Sequence, residues 1–167
     1  MIEKMGMKKG LTNGSIETIL VPIKQTGDDL MKLLTKNTDY AIRALLGLCL
    51  NPDEFHSAKE ISDEQDIPYE YLRKIFQRLI REGLVESKSG GQGGVRLRVS
   101  PDTIKITDVI AIFQGTLQLS ECMFRKKICR NRSRCVLRKH ILRIEKIVTQ
   151  EFGAMTIQSL LTETAGV

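Results

Sequence analysis

From Thr35 onward the apolar positions fall at helical spacing. Ala41, Ala44, Leu45 and Leu48 follow an i, i+3, i+4, i+7 pattern, one face of a helix that Asn51-Pro52 ends. Ser57-Ala58-Lys59-Glu60 has the form of a capping box, in which hydroxyl and carboxylate reciprocally satisfy the amides of a helix start. It predicts a short helix through about Glu64. Pro68 suits the first turn of the next helix, whose apolar face is Leu72, Ile75, Phe76, Leu79 and Ile80. Gly83 supplies its stop. Two helices joined by a tight turn, the second longer and amphipathic, form a helix-turn-helix pattern.

The period then drops to two. After an extended segment at Leu84–Ser87, Val95, Leu97 and Val99 alternate with Arg96 and Arg98, the signature of a half-buried strand. The connector Ser89-Gly90-Gly91-Gln92-Gly93-Gly94 suits only a hairpin tip, and a hairpin directly after a helix-turn-helix is a wing. Pro101 closes it, and Thr107 is expected to cap a helix through Phe113. Further on, Leu137, Ile141, Ile144 and Val148 are spaced four, three, four along a predicted helix from Val136 to Phe152. Such a stripe packs either on the chain's own core or on a second subunit. Because the core elements precede it, the second subunit is the expected partner. Ile157, Leu160 and Leu161 mark a short closing helix. The pattern therefore predicts a mainly α fold with a small β-hairpin wing: a winged helix-turn-helix plus a long dimerisation helix. Its segments are an extension at 1–30, the winged domain at 31–115, a cysteine-containing loop at 116–135, and the dimerisation helix and tail at 136–167.

Composition narrows the class. Of the 167 residues, 41% are hydrophobic and 28% charged, which is enough apolar material for a core. Apolar runs such as Val109–Phe113 fall far short of the roughly 18–20 residues a membrane span needs. Residues near the start include lysines but no continuous apolar stretch of the secretory kind, so a cytoplasmic protein without membrane contact is expected. The net charge is +6, which favours polyanionic partners. It is concentrated between Glu121 and Lys146, where ten lysines and arginines face only Glu121 and Glu145.

In a helix-turn-helix the start of the second helix approaches base edges in the major groove. Here that region places Tyr69, Glu70 and Tyr71 near bases, with Arg73, Lys74, Gln77 and Arg78 in reach of bases or phosphates. On the wing, Lys88, Ser89, Gly90 and Arg96 (with Arg98) are placed for phosphate or minor-groove contact. Each cation taken alone reads as a solvated surface charge; the order of elements is what points to double-stranded DNA. Nothing supplies a nucleophile–base pair or a CxxC redox pair, and no enzyme is expected.

Cys122, Cys129 and Cys135 cluster in the basic segment, while Cys49 stands alone on the apolar face of the first helix, as a core residue would. Three thiols in a reducing compartment do not make a disulfide framework. Thiolates among arginines and lysines suit an iron–sulfur cluster. Zinc fits less well, because its CxxC knuckles are missing, and an unligated loop is the remaining reading.

The segment Leu34–Leu45, the run Ile67–Phe76, the glycine-rich wing, Ile104–Ile110 and the cysteine loop together resemble the Rrf2 family of transcriptional regulators, over roughly residues 31–163. That resemblance implies a homodimer on a palindromic operator, with Val136–Phe152 as the dimerisation helix. It also implies an iron–sulfur cluster (2Fe–2S or 4Fe–4S) held by Cys122, Cys129 and Cys135. In members with a histidine ligand, the histidine lies three residues after the third cysteine, where this chain has Arg138. Nitric-oxide-sensing members use an aspartate near the start of the partner subunit, and Asp39 matches that place. By its position alone, Asp39 is equally an acid stabilising a helix N-terminus. The family's cluster-free branch regulates cysteine and sulfur metabolism through a partner protein or metabolite, and is the alternative. Two departures stand out: the first cysteine gap is six residues rather than five, and Ser89 replaces the wing arginine. Operator preference therefore does not carry over.

Overall fold

A computed structural model of the chain describes residues 32–91, 93–119 and 134–164. The first helix, α1 (Lys36–Leu48), starts where the Thr35 hydroxyl accepts from the Thr38 amide. Its predicted stripe of Ala41, Ala44, Leu45 and Leu48 is fully buried. Helix α2 (Ala58–Glu64) carries the anticipated capping box: the Glu60 amide donates to Ser57 Oγ at 3.1 Å, and the Ser57 amide to Glu60 Oε2 at 2.9 Å. The turn to the next helix places Asp66 in the left-handed region, φ 49°, where a short polar side chain is tolerated. Ser62 Oγ donates to the Ile67 carbonyl across that turn at 2.7 Å.

Helix α3 (Tyr69–Arg81) follows, with Pro68 as its N-cap rather than inside its first turn. Leu72, Ile75, Phe76 and Leu79 are its buried face. It ends in a Schellman motif: the Gly83 amide donates to the Ile80 carbonyl and the Leu84 amide to the Leu79 carbonyl, both at 3.0 Å. The motif needs a left-handed residue, and Gly83 has φ 78°.

Strands β1 (Val85–Lys88) and β2 (Gly94–Leu97) pair antiparallel, with Val85 opposite Leu97 and Glu86 opposite Arg96. Val85, Val95 and Leu97 point into the core. An isolated antiparallel bridge joins His56 to Val95, through hydrogen bonds of 2.9 Å in both directions. The segment before α2 thus lies along the free edge of β2.

Helix α4 (Ile106–Gln114) corrects one expectation. Lys105, not Thr107, is its N-cap, and no side chain caps it. The Ile106 amide instead donates to the Met155 carbonyl at 3.0 Å, while the Ile157 amide donates to the Ile104 carbonyl at 3.0 Å. A distant backbone segment, rather than a local hydroxyl, therefore satisfies an amide of the helix's first turn. Helix α5 (Val136–Ala154) spans about 28 Å at 1.5 Å per residue. Among the described elements its main packing partner is α4. Helix α6 (Ile157–Thr164) returns to α1 and buries Ile157 completely in the same core as Leu45, Leu72 and Val109. No described helix is long and apolar enough to cross a membrane.

A candidate nucleic-acid interface

The amphipathic pattern of α3 leaves every polar residue singled out in the sequence on one open side. Tyr69, Glu70, Tyr71, Arg73, Lys74, Gln77 and Arg78 are all exposed, while the opposite side is locked into the core. Glu70 accepts an ion pair from Arg73 at 3.9 Å, and the Arg73 guanidinium also lies 5.8 Å from the Tyr69 ring centre. Arg78 faces Glu82 at 3.7 Å. These are weak, solvated contacts that a phosphate can displace. Lys74 has no ion pair among those described, and beside it a concavity of about 350 Å³ opens between Asn37, Tyr71, Arg78 and the apolar Ile75, Ile112 and Phe113.

Aromatic contacts fix the start of α3 against α1. The Tyr40 and Tyr71 rings meet edge to face at 6.4 Å, and Lys36 Nζ lies 5.3 Å from the first ring centre and 5.9 Å from the second. Arg43 sits over Tyr40 at 5.9 Å and pairs with Asp39 at 3.9 Å. The start of α1 is held in turn by Gln114, the last residue of α4. Its Oε1 accepts from the Thr35 amide at 2.8 Å and from the buried Thr38 hydroxyl at 2.7 Å, while Nε2 donates to the Leu33 carbonyl at 2.9 Å. Sequence reasoning missed Lys36, Tyr40 and Gln114. Only Lys36 carried a local signal, a cation in the first turn of a predicted helix.

The wing splits into two groups. Lys88, Ser89 and Gly90 are exposed at the tip, with Gly90 at φ 116°. Arg96 is half-buried. It donates to Glu86 Oε1 at 2.5 Å and to the Asp53 carbonyl at 3.3 Å, and its guanidinium lies 4.5 Å from the Phe55 ring centre.

Of the candidate cluster ligands, Cys122 and Cys129 lie outside the described residues. Cys135 is the N-cap of α5, and its sulfur accepts from the Arg138 amide at 3.4 Å. A cysteine sulfur is a soft donor, so its chemistry at this cap position suits a metal or cluster. Asp39 is exposed in the first turn of α1, where it also serves the helix N-terminus. Among the described residues, no three His, Cys, Asp or Glu side chains converge within one chain. Cys49 is buried and caps α1, and burial pushes its thiol up to about 11. Glu145, counted in the sequence only as a charge, is the one buried residue of α5 and accepts from the Leu119 amide at 3.1 Å.

Known proteins align with this architecture. Among curated proteins, the HTH-type transcriptional regulator NsrR of Shouchella clausii is 38% identical over 94 residues, 56% of this chain and 63% of that protein. The aligned region thus spans less than two-thirds of that relative's length. Among solved structures, T. potens IscR superposes with a TM-score of 0.63 at 23% identity, covering 78% of this chain and 87% of the other. CymR, the global cysteine regulator of B. subtilis, superposes with a TM-score of 0.67 at 22% identity, covering 80% and 98%. Both likenesses bear on the fold alone. The profile of the Rrf2 family, described as an iron-dependent transcriptional regulator, matches residues 34–163. With that match across most of the chain and the helix-turn-helix, hairpin and long helix in place, the chain belongs to the Rrf2 family.

Proposed function

We propose that the chain is a homodimeric transcriptional regulator, a repressor acting in the cytoplasm, that binds a palindromic operator in double-stranded DNA under the control of an iron–sulfur cluster. The observation that carries the DNA-binding reading is the open side of α3. It combines Tyr69, Tyr71, Arg73, Lys74, Gln77 and Arg78 on a helix whose other side is immobilised by burial. Placed in a major groove, its first turn presents Tyr69, Glu70 and Tyr71 to base edges, and the cations follow along the backbone. Lys88, Ser89 and Gly90 extend the contact to the flanking groove.

The dimer rests on α5. Val136 and Leu137 are each 66% exposed, Ile144 49% and Ile147 45%. Leu137 and Ile144 belong to the predicted seam, whose other members, Ile141 and Val148, are half-buried. An apolar stripe this long is unfavourable in water and is relieved by a second copy. Two copies related by a two-fold axis then bind half-sites related by the same symmetry.

Cys122, Cys129 and Cys135 would hold the cluster, with Asp39 of the partner subunit as the fourth ligand. When bound, the cluster supplies a labile anionic group whose presence reports nitric oxide, redox or iron status. The family's iron-dependent description and the cap position of Cys135 support this assignment. The deciding experiment is anaerobic purification with iron, acid-labile sulfide and visible absorption measured, followed by salt-dependent DNA binding of the same sample. Stoichiometric iron and sulfide with a charge-transfer band, lost in Cys135→Ser, is the expected result. A colourless protein that resists reconstitution yet binds DNA would be a cluster-free regulator answering to a partner protein or metabolite.

A further inference from the structure

The wing is not a two-stranded hairpin standing free. The His56–Val95 bridge places Phe55 beside Arg96 on one side, just as β-pairing places Glu86 beside it on the other. The row Glu86–Arg96–Phe55 therefore crosses the outer side of the wing, and Arg96 is engaged from both flanks. Its guanidinium pairs with Glu86, lies over the Phe55 ring and reaches the Asp53 carbonyl. Lys88 Nζ lies 5.6 Å from the centre of the same ring. The strap formed by residues 51–56 is itself anchored. His56 Nε2 lies 3.0 Å from the Asn51 carbonyl oxygen, and the strap backbone runs so close to β2 that a Cβ at Gly94 would stand 2.3 Å from the His56 carbonyl oxygen.

We propose that Arg96 is a positioning residue rather than a DNA contact: it clamps the wing to the strap at Phe55 and so aims Lys88 at the phosphate backbone. The inference rests on the DNA-binding reading above. Its chemistry is that of a planar fork. Arginine can stack on an aromatic ring while donating in its own plane to a carboxylate and a carbonyl, whereas a lysine ammonium is a point charge that cannot do all three. At a phosphate contact the two cations are far closer to interchangeable.

That difference makes the proposal testable by charge-conserving variants. The duplex is one selected by the parent protein from a random pool, and affinity is measured across a range of salt, with thermal unfolding followed in parallel. Lys88→Gln removes one phosphate contact. It should lower the slope of log K against log salt by about 0.9 and weaken binding about fivefold near 0.15 M salt. Arg96→Lys keeps the charge, yet it should lower the slope and affinity by the same amounts, with no further loss in the double variant. Glu86→Gln should also weaken binding, although it removes a negative charge beside a polyanion, and Phe55→Leu should behave alike. A variant that is merely less stable but still folded would keep the parental slope. The proposal is overturned if Arg96→Lys keeps the parental slope and affinity, or if Glu86→Gln binds as tightly as the parent or tighter. A parent protein with no salt-dependent affinity for any duplex would instead remove the DNA-binding reading itself.

Discussion

Replacing Gln114 by leucine keeps the bulk of the side chain and removes three hydrogen bonds at once. Two of them, from the Thr35 amide and to the Leu33 carbonyl, are solvent-exposed. Water takes their place, and each loss costs about 0.5 kcal/mol. The third involves the hydroxyl of Thr38, which is fully buried. An orphaned buried hydroxyl would cost up to about 3 kcal/mol, but Thr38 Oγ1 still has Thr35 Oγ1 at 2.9 Å, so about 1 kcal/mol is the better figure. The sum is about 2 kcal/mol, which lowers the unfolding midpoint by roughly 4–8 °C for a chain of this size. Gln114→Glu supplies the control. Its carboxylate still accepts from Thr35 and Thr38 and loses only the bond to Leu33. Its charge is favourable at the start of α1 and unfavourable at the end of α4, so the net cost stays below about 1 kcal/mol. Urea and thermal unfolding at one fixed protomer concentration measure the order, since association would otherwise shift both midpoints. A leucine variant as stable as the parent, or a glutamate variant less stable than the leucine one, would refute this account of how α4 holds α1.

Lys74→Ala should weaken binding to every duplex about equally and reduce the salt slope by about 1, because it removes a phosphate contact rather than a base contact. Titrating salt on specific and random duplexes checks this, and a sequence-dependent loss would count against it. Gly83→Ala should destabilise by about 1–2 kcal/mol in denaturant unfolding, because its φ of 78° is strained for alanine even though the space around it is open. Cys49, whose thiol burial raises from 9.0 to about 11, carries about a hundredfold less thiolate at pH 8 than a free cysteine. Alkylation of the folded, cluster-free protein followed by mass spectrometry should therefore find Cys135 modified well before Cys49. A raised folded pKa also means that the stabilisation from keeping this thiol neutral is complete below pH 9 and lost between pH 9 and 11. Ile144→Arg should shift the chain towards monomer in sedimentation at micromolar concentration while leaving its helical content intact. An unchanged dimer would exclude this face of α5 as the interface.

The elements were legible wherever neighbours in sequence are neighbours in space. The capping box at Ser57–Glu60, the buried stripes of α1 and α3, and the left-handed stop at Gly83 are all local agreements of pattern and chemistry. What escaped is non-local. Asn51–His56 has the composition of a loop, and only the edge of β2 makes a strap of it. Thr107 resembled a cap because nothing nearby in sequence showed that Met155 would take the Ile106 amide. In the candidate site, the tyrosines and cations of α3 could be named from position in the motif. The partners of Arg96 could not, since alternation shows which way a side chain points but not what stands across from it.

The return of α6 to α1 makes the reading head discontinuous in sequence. Ile157 completes a core otherwise built from residues before Gly115, and the Ile104–Ile157 and Ile106–Met155 hydrogen bonds stitch the two parts together. Cutting the chain ahead of α5 would therefore not liberate a DNA-binding fragment; it would uncap α4 and open the centre of the domain. For the same reason α5 is not a dangling arm. Its far end is spliced into the fold that it follows, so a twist of the long helix is delivered at Met155 to the first turn of α4, nine residues beyond the end of the wing's second strand.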